Sequence, residues 1–90
     1  MTTKKVVRLN DPSDHGGYMV TAGGKIRAEG IHVALHGDLH VCPIEHHGTT
    51  SVNATTARFK VEHRPVLRDG DVAGCGARIQ ATTRRVKIGD

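Results

Sequence analysis

Tryptophan is absent from this chain, and Phe59 and Tyr18 are its single phenylalanine and single tyrosine. A 90-residue chain so short of aromatics must build its interior from Val, Ile, Leu and Ala. Such a core is thin, which points to a metal, a disulfide or a partner surface as a staple. No apolar run reaches membrane-spanning length. The segment Met1 to Arg8 carries no apolar stretch of the signal-peptide kind, so the expectation is no signal peptide and folding in the cytoplasm. In that compartment a Cys42–Cys75 disulfide is the lesser expectation. There is no basic run either. The net charge of +4 is spread along the chain, and with almost no aromatics for base stacking this argues against nucleic-acid binding. Helix-length apolar periodicity is missing throughout. So are the usual marks of catalysis: no H-x-x-x-H pair on a helix, no zinc-deaminase pattern, no glycine-rich loop feeding a helix, and no base at recognisable spacing from Ser13 or Ser51. The expectation is a protein that is not an enzyme.

What the chain does hold is a repeat. Asp11 is followed four residues later by His15, Asp38 by Cys42 and Asp71 by Cys75, and the three aspartates are spaced by 27 and 33 residues. A second set of segments repeats out of phase, around Ile26/Ala28, Phe59/Val61 and Val86/Ile88. In each, apolar and charged residues alternate with period two, the signature of half-buried antiparallel strands. The apolar member of each pair is expected inside and the Lys and Arg between them outside. Val6-Val7-Arg8-Leu9, the stretch Ile31 to Leu35, and Val66 with Leu67 read as further strands. The whole predicts a single domain over 1–90: all-β, a small pseudo-threefold cone of antiparallel strands, with a metal site near the apex where the three Asp turns gather.

The densest cluster of soft donors is Gly37 to Gly48, which holds Cys42, His40, His46 and His47. Zinc takes four tetrahedral ligands from thiolate and imidazole. The repeat offers His15, Cys42 and Cys75. The fourth donor is expected from the loop after Cys42, where His47 lies five residues on, with His40 and His46 as alternates. Either a His₂Cys₂ set or a His₃Cys set containing His40 is closed and structural. One structural Zn2+ is the expected cofactor. Asp11, Asp38 and Asp71 are expected to brace their turns through side-chain hydrogen bonds to the backbone. His32, His36 and His63 read as surface or packing residues on strands.

These pieces together resemble the PAAR-repeat proteins, which cap the spike of the bacterial type VI secretion system. The likeness is carried by Asp11-Pro12-Ser13-Asp14-His15-Gly16-Gly17, by Gly37-Asp38 with Cys42-Pro43 and His47-Gly48-Thr49-Thr50, and by Gly70-Asp71 with Cys75-Gly76-Ala77. Val66-Leu67-Arg68 stands where the family has its name-giving motif, and Asn10 stands where Gly is usual. The resemblance implies zinc near the apex, held by His15, Cys42, His47 and Cys75. It also implies a broad base seated on the blunt end of a trimeric VgrG spike. The role it implies is a stiff point for membrane puncture, in transient contact with the target-cell membrane, with effector proteins as possible passengers. Such a tip is made in the cytoplasm and leaves the cell when the system fires. With no toxin domain after the last repeat, it would be a bare tip.

Overall fold

In a computed structural model, residues 3–43, 48–55, 59–84 and 86–89 are described, and every regular element among them is a strand. The strands are short: β1 (Thr3–Lys5), β2 (Tyr18–Met19), β3 (Arg27–Ala28), β4 (Ile31–His32), β5 (Leu39–Val41), β6 (Thr49–Asn53), β7 (Lys60–Val61), β8 (Arg64–Pro65), β9 (Val72–Ala73) and β10 (Lys87–Gly89). The body measures 35 × 23 × 23 Å. Its two equal short axes suit a threefold object.

The centre is a triangle of backbone. Val7 donates its N–H to the Leu67 carbonyl, Leu67 to that of Ala34, and Ala34 to that of Val7, at 2.8 to 3.0 Å. Bridges Val6–Arg68, Arg8–Val33 and Leu35–Val66 flank the same three segments. All three central side chains are fully buried. Each segment comes from one copy of the repeat, so the repeat in the sequence becomes rotation about this axis.

Beyond the triangle each segment meets its aspartate, and the bracing is built three times over. Asp11, Asp38 and Asp71 each accept the backbone N–H three residues back, from Arg8, Leu35 and Arg68, at 2.6 to 2.7 Å. Their other oxygens accept hydroxyl protons from Thr82, Thr21 and Thr55. Arg8 and Arg68 then donate to those threonines. In the middle copy Leu35 replaces the arginine, and Arg64 reaches Asp38 from outside instead, at 3.6 Å. The residue ahead of each aspartate is left-handed: Asn10 at φ 71°, Gly37 at 90° and Gly70 at 89°. Asparagine tolerates that region and glycine prefers it. Asn10→Gly is therefore expected to hold or slightly raise stability, and Asn10→Ala to lower it by about 1 kcal/mol. Urea denaturation of the pair checks this.

Past the aspartates, β2, β5, β6 and β9 pair in that order. Bridges Pro12–Tyr18, Ser13–Ile79 and Val72–Arg78 carry the pairing round until the sheet closes on itself. A closed sheet has no edge to protect. Its inner face holds Met19, Val52 and Ile79 in one layer, all fully buried, and Ser13, His40 and Ala73 in the next.

On the other side of the central triangle lie three two-stranded ribbons, β3–β4, β7–β8 and β1–β10. The first two turn through Glu29-Gly30 and Glu62-His63, all four at positive φ, the geometry of tight two-residue hairpins. Strands β4, β8 and β1 run on into the central triangle. Strands β3, β7 and β10 pair on one side only among the described residues. Ala28 and Ile88 are buried as the alternation predicts, and Val61 packs partly buried against them. Ile26 and Phe59 correct that expectation, since they are 44% and 43% exposed. Both sit in bends just ahead of β3 and β7, where their carbonyls still accept from the Val33 and Val66 N–H groups while their side chains stay exposed. His36 and His63 lie in exposed turns rather than in strands, while half-buried His32 in β4 shares a hydrogen bond with the Gly24 carbonyl.

Candidate metal centre

Four residues after each aspartate, where the closed sheet ends, the chain presents His15, Cys42 and Cys75. One ligand atom from each lies within 4.8 Å of the other two. Residues 27 and 60 positions apart meet here because the three copies rotate onto one axis. Cys42 is buried, and His15 and Cys75 are half-buried. The two cysteines are not joined in a disulfide.

The spacing fits a tetrahedral ion. With zinc–sulfur and zinc–nitrogen distances of about 2.3 and 2.1 Å, a thiolate and an imidazole on one centre stand roughly 3.6 Å apart. Cys42 Sγ and His15 Nδ1 are 3.6 Å apart. The outer nitrogen of His15, Nε2, faces the Asp14 carboxylate at 3.9 Å, on the side where a metal-bound imidazole gains from an acceptor. The His15 turn is pinned from below. The Ser13 hydroxyl oxygen accepts the N–H groups of His15 and Gly17 at 3.3 and 3.2 Å.

His40 stands one layer beneath this triangle, on β5, with no exposed surface. It is not one of the three grouped donors. Its Nε2 lies 2.8 Å from Ser13 Oγ. Since that oxygen already accepts two backbone N–H groups, its proton goes to Nε2, and the imidazole proton sits on Nδ1, which is buried without a partner. Burial, and then the nearby His15, lower its pKa, so the ring is neutral at neutral pH. Room for it comes from Gly17. A methyl there would lie 1.9 Å from the Val41 carbonyl oxygen and 2.8 Å from His40 Nε2. His46 and His47 fall outside the described residues.

A family model for the PAAR motif matches residues 9–81. The chain belongs to the PAAR-motif family. The motif is associated with type VI spike-tip proteins. No curated protein matches the chain. The arginine that closes this PAAR chain's Val66-Leu67-Arg68 segment is buried, and it joins the aspartate–threonine brace of its own copy through Thr55.

Two parts of this centre escaped sequence reasoning. One is the threonine that completes each aspartate brace. The other is the stacking of Ser13, His40 and Ala73. Both were signalled by position: Thr21, Thr55 and Thr82 recur at spacings of 34 and 27, and Ser13, His40 and Ala73 each stand two residues after an aspartate.

Proposed function

We propose that this PAAR chain is a non-catalytic tip that caps the trimeric VgrG spike of a type VI secretion system. In this reading the three ribbons seat on the spike and the metal end points outward. What carries it is one arrangement: the three one-sided strands β3, β7 and β10 lie at one end of a pseudo-threefold axis and the His/Cys/Cys group at the other. Unpaired strand edges add to a neighbouring sheet through main-chain hydrogen bonds. Three such edges related by rotation suit a partner with true threefold symmetry.

Under this reading one Zn2+ cross-links three turns at the far end, where the packing of Ser13, His40, Ala73 and Ala77 is small. His15, Cys42 and Cys75 hold it, and His47, five residues past Cys42, completes the set. Zinc supplies cohesion, and no bond of a substrate is broken. The protein is made in the cytoplasm and leaves with the spike, meeting a target membrane in passing. Effector proteins, if they ride on the tip, have a natural seat. Tyr18, Val20 and Leu39 are exposed on the outside of β2 and β5, while the two equivalent faces carry Ser51 with Asn53 and Arg78 with Gln80.

The deciding experiment is co-purification of the zinc-loaded chain with the VgrG trimer of the same genome, followed by cryo-electron microscopy. One copy per trimer, with its ribbons on the blunt end, is the expected result. A zinc-loaded monomer that ignores VgrG at low salt would leave only a small metal-binding interaction module.

A further inference from the structure

The seat for the ribbons has a charge as well as a shape. On β3, β7 and β10 the residues just before inward-facing Ala28, Val61 and Ile88 are Arg27, Lys60 and Lys87, all exposed. They are spaced by 33 and 27 residues, so they are equivalent positions of the repeat. Rotation about the axis therefore sets one cation on the outer side of each unpaired edge.

Among the described residues, the carboxylates near this end are engaged elsewhere. Glu62 pairs with Lys25 at 2.8 Å. Glu29 accepts from the Thr83 hydroxyl and the Arg84 N–H and lies 3.7 Å from Arg8. Asp69 accepts the Ala81 N–H and shares a shallow cleft with Lys4, Lys5 and Lys87 without pairing to any of them within 4.0 Å. Arg27, Lys60 and Lys87 have no anionic partner among the described residues. Lys5 stands directly across the ladder from Lys87, which adds like charge to like.

We propose that the protein surface on which this base docks presents a threefold ring of carboxylates, one beneath each of Arg27, Lys60 and Lys87. This rests on the base-docking reading above and deepens it. When a strand is added to an edge, side chains on the same face of neighbouring strands lie about 5 Å apart, where opposite charges attract and like charges repel. The partner's last strand on each side thus sets an outward residue against each cation. An acidic residue there also fixes the angle of the base about the axis, because only turns by a third of a revolution, which are equivalent on a homotrimer, set all three cations over acids. A nucleic-acid duplex or a bilayer offers no matching threefold pattern.

The test uses the full zinc-loaded chain and the VgrG trimer of the same genome. Affinity is measured by titration calorimetry from 50 to 500 mM NaCl for wild type, for R27Q/K60Q/K87Q and for R27E/K60E/K87E, with Tm recorded for each as a check of folding. The expected result is a wild-type affinity that falls with salt and a charge-reversed variant at least tenfold weaker at low salt, with the neutral variant between. Reversing the facing acids of VgrG to lysine is expected to restore binding of the reversed chain. Equal, salt-insensitive binding by all three chains overturns the acidic ring while leaving base docking intact, and makes these cations guards of exposed edges. No binding by wild type at 50 mM NaCl overturns the docking reading and this inference with it. Tighter retention on duplex DNA or on phosphatidylglycerol vesicles than on VgrG also overturns it. If the reversed chain fails to fold, the neutral variant and the salt series decide alone.

Discussion

Cys75→Ala, or treatment with a strong chelator, is expected to strip the zinc and lower Tm by about 15 °C or more. The size follows from what the site joins. His15, Cys42 and Cys75 belong to three different copies of the repeat, and only small apolar residues such as Ala77 and Pro43 lie near their turns among the described residues. Below them the layer of Ser13, His40 and Ala73 is small and half polar. Structural zinc contributes on the order of 10 kcal/mol to folding in domains that lack any other core. Here the closed sheet and the central triangle remain, so the loss is smaller. Taken as about 3 kcal/mol, it moves Tm by roughly 4–8 °C per kcal/mol in a domain of this size. Zinc content by mass spectrometry and melting by circular dichroism, read on the same samples, check it. Metal lost with melting unchanged would end the structural reading of the site.

Asp38→Ala is expected to cost at least as much, at a residue outside the donor group. This carboxylate is buried and accepts from the Leu35 N–H at 2.6 Å, the Gly23 N–H at 2.8 Å and the Thr21 hydroxyl at 2.9 Å. Alanine would leave those donors without an acceptor, and a stranded buried donor costs about 1–3 kcal/mol. Leu35 is fully enclosed and carries the largest share. A total of about 3–5 kcal/mol follows, read as a lowered urea midpoint at constant slope. Asp38→Asn, which keeps one oxygen but turns an N–H₂ toward a donor, should fall between. Lys25→Ala serves as the contrast. Its ion pair with Glu62 is open to solvent on both sides, and no measurable change in Tm is expected.

Much of this architecture could be read before any coordinates. The aspartates at spacings of 27 and 33 announced rotation about an axis, and the donor four residues after each announced a shared site. Period-two alternation put Ala28 and Ile88 inside. Where reading failed, the cause was local. Ile26 and Phe59 share the parity of their strands and bond Val33 and Val66 across the ribbons, but the chain bends there and leaves both side chains exposed. The role of Arg64 was hidden because it reaches Asp38 from another copy, in place of the arginine that Leu35 replaced. His40 looked like a spare donor. Its neighbours reveal why it is histidine: a hydroxyl on Ser13 opposite, and a glycine at 17 that leaves room for the ring. Spacing alone leaves the role of this ring open, and the fold sets it apart from the group formed by His15, Cys42 and Cys75.

The triangle formed by Val7, Ala34 and Leu67 also governs how this protein comes into being. Its three hydrogen bonds join positions that are dozens of residues apart, and no two of its corners are neighbours in the chain. The first strand gains no partner early either, since β1 pairs with β10 at the other end of the domain. No hairpin here is long enough to persist alone in water. The native state therefore forms only after β10 has been made, slowly for a domain of this length and all-or-none, because distant loops must close before any contact rewards them.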